Sequence, residues 1–167
     1  MKNYIKTLKE TLDKLDEGKI EYLADAIKCA KRVYIFGNGG SSATASHFVV
    51  DLQKMKGVRA FCLNDNVPSI TAYANDVNYS SIFSEQVEVL VTKNDLVIGI
   101  SGSGESENVI RGILRAKELE AYTVGITGYK GGELGTIVDL HINVPVNNMQ
   151  IAEDVHLSIV HIVTSKL

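Results

Sequence analysis

Three groups of side chains in this 167-residue chain could do chemistry. The first is Ser101, Ser103 and Ser106, set in S-G-S-G-E-S after the apolar run Leu96, Val97, Ile98 and Ile100, and followed by a helical period through Val109, Ile110, Ile113, Leu114 and Ala116. A strand, a hydroxyl-rich glycine turn and a helix start, in that order, present backbone N–H groups and serine hydroxyls together. That is an anion cradle suited to a phosphate monoester. The competing reading is a tight turn with Ser106 as a helix cap, but a cap needs one hydroxyl and three are present. No Lys follows the last glycine, as a P-loop requires, and the dinucleotide G-x-G-x-x-G spacing is missing.

The second group is His47 and Asp51, four residues apart and so on one face of a helix. Their spacing suits a shared metal ion, an acid/base pair or a plain helix-surface hydrogen bond. The third lies near the end of the chain, where Glu153, Asp154, His156 and His161 cluster in a sequence of four histidines. On a helix Glu153 and His161 stand about 12 Å apart along the axis and about 80° apart around it, so they do not pinch an ion as an i,i+4 pair would. Either both side chains reach to a point between them, or one comes from a neighbouring subunit. His156, between apolar neighbours, and His141, within a strand, read as structural.

These groups need elements to hold them. Ile5, Leu8, Leu12 and Leu15 draw an apolar seam along a first helix that Gly18 ends, and Ile20, Leu23, Ala24 and Ile27 draw a second. Residues 1–30 therefore read as a helical hairpin, whose narrow first seam packs either in an oligomer or on its own sheet. Short apolar runs predict strands over 32–36, 58–63, 95–100, 121–126 and 140–144. Helical periods fill 43–52, 82–90, 107–119, 131–138 and 151–163, with another helix starting near Pro68. The run at 32–36 ends in G-N-G-G-S-S, so the strand, glycine turn and helix occur twice. The prediction is an α/β fold: a single domain over 1–167, with a five-stranded parallel sheet flanked by helices in three αβα layers. Both turns fall at the carboxyl edge of the strands, where such sheets bind ligands, and so face one cleft.

The length supports one full core. With 45% hydrophobic and 22% charged residues the composition is that of an ordinary globular domain. A net charge of −3 and the lack of a basic cluster argue against nucleic acid as a partner. No apolar run approaches bilayer length, so no membrane span is expected. Cys29 and Cys62 make no metal or redox spacing, and residues 1–15 build no signal-peptide h-region, so a cytoplasmic location is expected.

G-N-G-G-S at Gly37 to Ser41 with His47 after it, Asn75-Asp76, S-G-S-G-E-S at Ser101 to Ser106, and E-D-V-H-L-S-I-V-H ending at His161 together resemble the sugar isomerase (SIS) domain. The resemblance is to its phosphoheptose isomerase branch in particular, and it runs from the first helix to the last residue. It implies conversion of sedoheptulose 7-phosphate to D-glycero-D-manno-heptose 7-phosphate through a cis-enediol. Ser101, Ser103 and Ser106 with the Gly102 amide would hold the phosphate, and Asn38, Gly39, Ser41 and Asp76 would lie along the sugar. His47, Asp51, Glu153 and His161 would hold one zinc ion, with Asp51 also the base and His161 also the acid. A homotetramer with active sites between subunits is implied as well.

Asp51 stands where the family pattern has Glu, and Glu153 where it has Gln. The pair keeps two histidines and two oxygen ligands and adds one negative charge, which leaves zinc bound but less acidic. It also opens another division of labour, with Glu153 as base and Asp51 only a ligand. Gly102 stands where the branch favours Thr. Two alternatives to the first reading are an isomerase of a different sugar phosphate, and a catalytically silent SIS module that binds a phosphosugar and regulates a partner.

Overall fold

The computed structural model describes residues 2–167, so Met1, the first residue of the expected domain, lies outside the described residues. The chain runs through α1 (Lys2–Leu12), α2 (Glu17–Cys29), β1 (Val33–Gly37), α3 (Gly40–Lys56), β2 (Ala60–Cys62), α4 (Val67–Asp76), a 3-10 turn (Tyr79–Ser81) and α5 (Ser84–Leu90). It continues with β3 (Leu96–Ser101), α6 (Glu107–Glu118), β4 (Tyr122–Thr127), α7 (Leu134–Ile137), β5 (Leu140–Asn143) and α8 (Met149–Lys166). All five strands are parallel, in the order β2-β1-β3-β4-β5. The chain leaves β1 toward one side of the sheet and returns to β3 on the other. That makes the β1/β3 boundary the switch point where ligands of open α/β sheets sit.

Every residue of β1 and of β3 is buried, as a strand covered on both faces must be. Alternation along the strands divides the core in two. Val33, Ile35, Ile98 and Ile100 pack with Leu23, Phe48, Leu52, Val155 and Ile159 of α2, α3 and α8. Tyr34, Phe36 and Val97 pack with Phe83, Val109 and Ile113 on the other face, where the Phe36 and Phe83 rings stack 4.7 Å apart. This is the three-layer αβα arrangement expected of the pattern. At Gly99 a Cβ would lie 2.9 Å from Val109 Cγ1, so glycine lets α6 settle close on β3.

Several boundaries differ from the sequence reading. Gly18 does not end the first helix: α1 stops at Leu12, and Gly18 sits in the first turn of α2. The reason is Asp16, whose side chain accepts from the Lys19 amide at 3.1 Å and starts a new helix before the glycine. β2 is only three residues long and does not include Val58. The final helix begins two residues early, at Met149, because Asn148 caps it by accepting from the Ile151 amide at 3.1 Å. α1 and α2 both lie on α8, with Leu8, Leu12 and Leu15 against the core and Tyr4 and Ile5 left exposed. Tyr4 Oη also donates to Asp154 Oδ2 at 2.7 Å. Among the described residues no helix is long and apolar enough to cross a membrane.

His156 is fully buried on α8, and neither ring nitrogen completes a hydrogen bond, although the Thr127 backbone lies close enough to favour its charged form slightly. Burial outweighs that neighbour and lowers its pKa. His141, whose Nε2 lies 2.7 Å from Thr127 Oγ1, is shifted the same way by burial. With folded values below the unfolded one, the unfolded chain binds these protons first. Stability should therefore be level above about pH 6.5 and fall as pH drops below it. Urea midpoints between pH 8 and 5.5 check this, and His156→Leu should flatten the slope. An unchanged slope would assign the acid sensitivity to other groups.

Candidate active site

The two glycine turns meet at the switch point. Gly37 is in register with Ile100, and a Cβ on Gly37 would lie 2.7 Å from the Ile100 carbonyl oxygen and 2.8 Å from Ser41 Cβ. Asn64 pins this corner, accepting from the Gly37 amide at 3.2 Å and donating to the Gly37 carbonyl at 2.8 Å. Gly39, at φ 54° and ψ −122°, caps α3 in a conformation that favours glycine. Ser41 follows it, buried at the start of α3.

The serines converge on one another instead of capping α6. Ser106 is the N-cap residue of α6 but makes no side-chain capping bond. Ser101 Oγ donates to Ser106 Oγ at 3.0 Å, stands 3.5 Å from Ser103 Oγ and accepts from the Gly104 amide at 3.1 Å. Three hydroxyls held together beside a helix N-terminus form a cluster of donors that an anion can accept from. Glu107, the acid in the first turn of α6, forms an ion pair with Arg111.

The first residues of α8 cross both turns. A Cβ on Gly102 would run into Met149 Sδ, and a Cβ on Gly40 would run into the Glu153 carboxylate. Met149 and Glu153 are four apart, so one face of α8 covers the serine turn and then the glycine turn that opens α3. Gly102 itself has a backbone that any residue adopts. Only the Met149 thioether fills the space a side chain would take, and Met149 also lines a cavity of about 570 Å³ with Ser103, Tyr129, Lys130 and Val146. Gly102→Thr should therefore push the flexible Met149 side chain into that cavity at a cost of about 1 kcal/mol, and Met149→Ala in the same background should recover most of it. Urea denaturation of the two single variants and the double variant checks this coupling, and additive losses would contradict it.

Further along α3 and α8, His47, Asp51 and His161 come together. Asp51 Oδ2 lies 3.4 Å from His47 Nε2 and 3.8 Å from His161 Nε2, and the two imidazole nitrogens are 3.1 Å apart. Zinc–ligand bonds of about 2.0–2.2 Å in a tetrahedron separate ligand atoms by roughly these distances, so two imidazoles and a carboxylate here fit a divalent metal. Both imidazole side chains are about half exposed, at 49% and 50%, so the group opens outward. Glu153 is not in this group, because its carboxylate rests at Gly40, two turns back along α8.

Asp76 ends α4, where Asn75 Nδ2 donates to it at 2.8 Å; it is not brought to the histidines. Asn38 is tied to Asn108 by two bonds, Nδ2 to Oδ1 at 2.8 Å and the reverse at 3.0 Å, and it also accepts from Tyr79 Oη at 3.2 Å. Asn108, Tyr79, Asn64 and Met149 were not among the residues singled out from sequence. A polar residue at a buried position of α6, two after Ser106, was the available signal for Asn108.

Residues 1–128 match the SIS domain family profile. The phosphoheptose isomerase of Geotalea daltonii is 39% identical over 89% of this chain and 80% of its own length. A solved phosphoheptose isomerase from Francisella tularensis superposes with a TM-score of 0.90 at 31% identity, covering 99% of this chain and 92% of that one. Another, from Neisseria gonorrhoeae, gives 0.90 at 28% identity, covering 98% and 92%.

Proposed function

We propose a function from the premise that this chain belongs to the SIS domain family, in its phosphoheptose isomerase branch. It is a phosphosugar aldose–ketose isomerase that interconverts sedoheptulose 7-phosphate and D-glycero-D-manno-heptose 7-phosphate. The observation that carries this reading is the His47, Asp51 and His161 group on α3 and α8, the second of which sets Met149 of its first turn against Gly102 in the serine turn. A protein that only bound a phosphosugar would have no use for that group.

The phosphate is held by Ser101, Ser103, Ser106 and the Gly102 amide, which orients the reacting carbons from a distance. Asn38, Gly39, Ser41 and Asp76 lie along the sugar. Asp51 removes the proton from the carbon next to the carbonyl, giving the cis-enediol, and returns it to the neighbouring carbon. His161 moves the hydroxyl proton between the two oxygens. His47, Asp51 and His161 would hold zinc, with Glu153 standing where the family pattern has a Gln as fourth ligand, and the ion would supply charge stabilisation for the developing oxyanion.

The enzyme is cytoplasmic and a homotetramer with sites assembled between subunits. Ten residues of α3 separate Ser41 from Asp51, about 15 Å of helix, which favours a substrate held by one chain's cradle and met by another chain's histidines. Gel filtration and elemental analysis of the purified protein test the assembly and the metal. Incubation with sedoheptulose 7-phosphate should yield an aldose phosphate, and failure to convert any ketose phosphate would overturn the reading.

A further inference from the structure

The amide of Asn38 has four hydrogen-bonding positions, two N–H donors and two lone pairs on Oδ1. Asn108 takes one of each, since its Oδ1 accepts from Asn38 Nδ2 and its Nδ2 donates to Asn38 Oδ1. Tyr79 Oη donates to the second Oδ1 lone pair. What remains is a single N–H. Asn108 is 3% exposed in the first turn of α6, 70 residues from Asn38, so this pair of bonds also ties the sugar turn to the helix that follows the phosphate turn.

We propose that Asn108 is a positioning residue that fixes the Asn38 side chain as a hydrogen-bond donor, so that Asn38 recognises a carbonyl or hydroxyl oxygen of the sugar. The inference rests on the isomerase reading for its substrate. Tyr79, 60% exposed at the rim, donates to Asn38 Oδ1 and so sets which way round the paired amides lie. Without Asn108 the Asn38 amide is free to turn over and offer an oxygen where the substrate needs a donor. The phosphate cradle does not depend on this pair, because its serines bond one another.

The test compares the parent enzyme with Asn108→Ala, Asn108→Asp and Asn38→Asp, reading kcat, KM, inhibition by inorganic phosphate and metal content. Asn108→Ala should lower kcat/KM by about 10- to 100-fold while phosphate inhibition and metal content stay within about twofold. Asn108→Asp keeps the acceptor that holds Asn38 Nδ2 but sets a buried carboxylate oxygen against Asn38 Oδ1 in place of the donor, so it should lose at least as much as Asn108→Ala. If Asn108→Ala fails to fold, Asn38→Asp decides, since it removes both donors from the partly exposed partner and should give the same pattern. Unchanged kcat/KM in the folded variants would overturn the inference, and so would a parallel loss of phosphate inhibition, which marks a purely structural role. If the parent bound the sugar phosphate without converting it, the isomerase reading would fall. Calorimetry on the same variants would then read the donor role from sugar-phosphate affinity against that of inorganic phosphate.

Discussion

Asp51→Asn should lower kcat by about 10²- to 10⁴-fold, the range general-base removal costs, and should also weaken metal retention. Asn is nearly isosteric, so the loss follows the charge. Asp51 Oδ2 is the oxygen that both imidazoles face, at 3.4 and 3.8 Å, and an amide there is both a poorer ligand and no base. Glu153→Gln should behave differently. Its carboxylate rests against Gly40 at the start of α3, outside the three-residue group, and Gln is the residue of the family pattern. Turnover within about tenfold of the parent is expected for this variant. Metal content by elemental analysis and kcat at saturating ketose phosphate separate the two. The opposite ranking, with Asp51→Asn active and Glu153→Gln dead, would move the base to Glu153.

Ser101→Ala should raise KM by about 10- to 100-fold, with a matching weakening of inhibition by inorganic phosphate. Ser101 is the hub of the cradle: it donates to Ser106, nears Ser103 and accepts from the Gly104 amide, all at 3% exposure. On the proposed reading its removal takes a donor from the phosphate, and it leaves the Gly104 N–H with the Ser101 carbonyl alone. The metal group is carried by other helices, so metal content should not change. A KM effect without any change in phosphate inhibition would show that the hydroxyl serves the sugar instead.

The layers and the two glycine turns were legible because each rests on a local pattern. Buried parallel strands write themselves as unbroken apolar runs, and β1 and β3 are buried along their whole length. The pairing of His47 with Asp51 was likewise local, four residues apart on one helix. What joined them to His161 was a long-range packing of α3 on α8, 114 residues apart in sequence, and the resemblance to a family supplied it where spacing alone left alternatives. Glu153 and His161 of α8 lie at different points along α3, the first at Gly40 and the second at His47 and Asp51. Gly18 has the pattern of a helix terminator, but the Asp16 cap two residues earlier decides the boundary. Asn108 and Met149 stayed hidden for a different reason. Their roles come from partners in other turns, Asn38 and Gly102, and no periodicity of their own helices reports that.

Proton abstraction beside a carbonyl opens that carbon to exchange with solvent. Protein loaded with zinc and incubated with sedoheptulose 7-phosphate in deuterium oxide should place deuterium on the carbon next to the carbonyl, seen as loss of that proton signal by NMR, with an aldose phosphate accumulating alongside. Asp51→Asn should suppress both signals together. If the parent protein bound the ketose phosphate and yet neither exchanged that proton nor formed an aldose, the isomerase account would be contradicted.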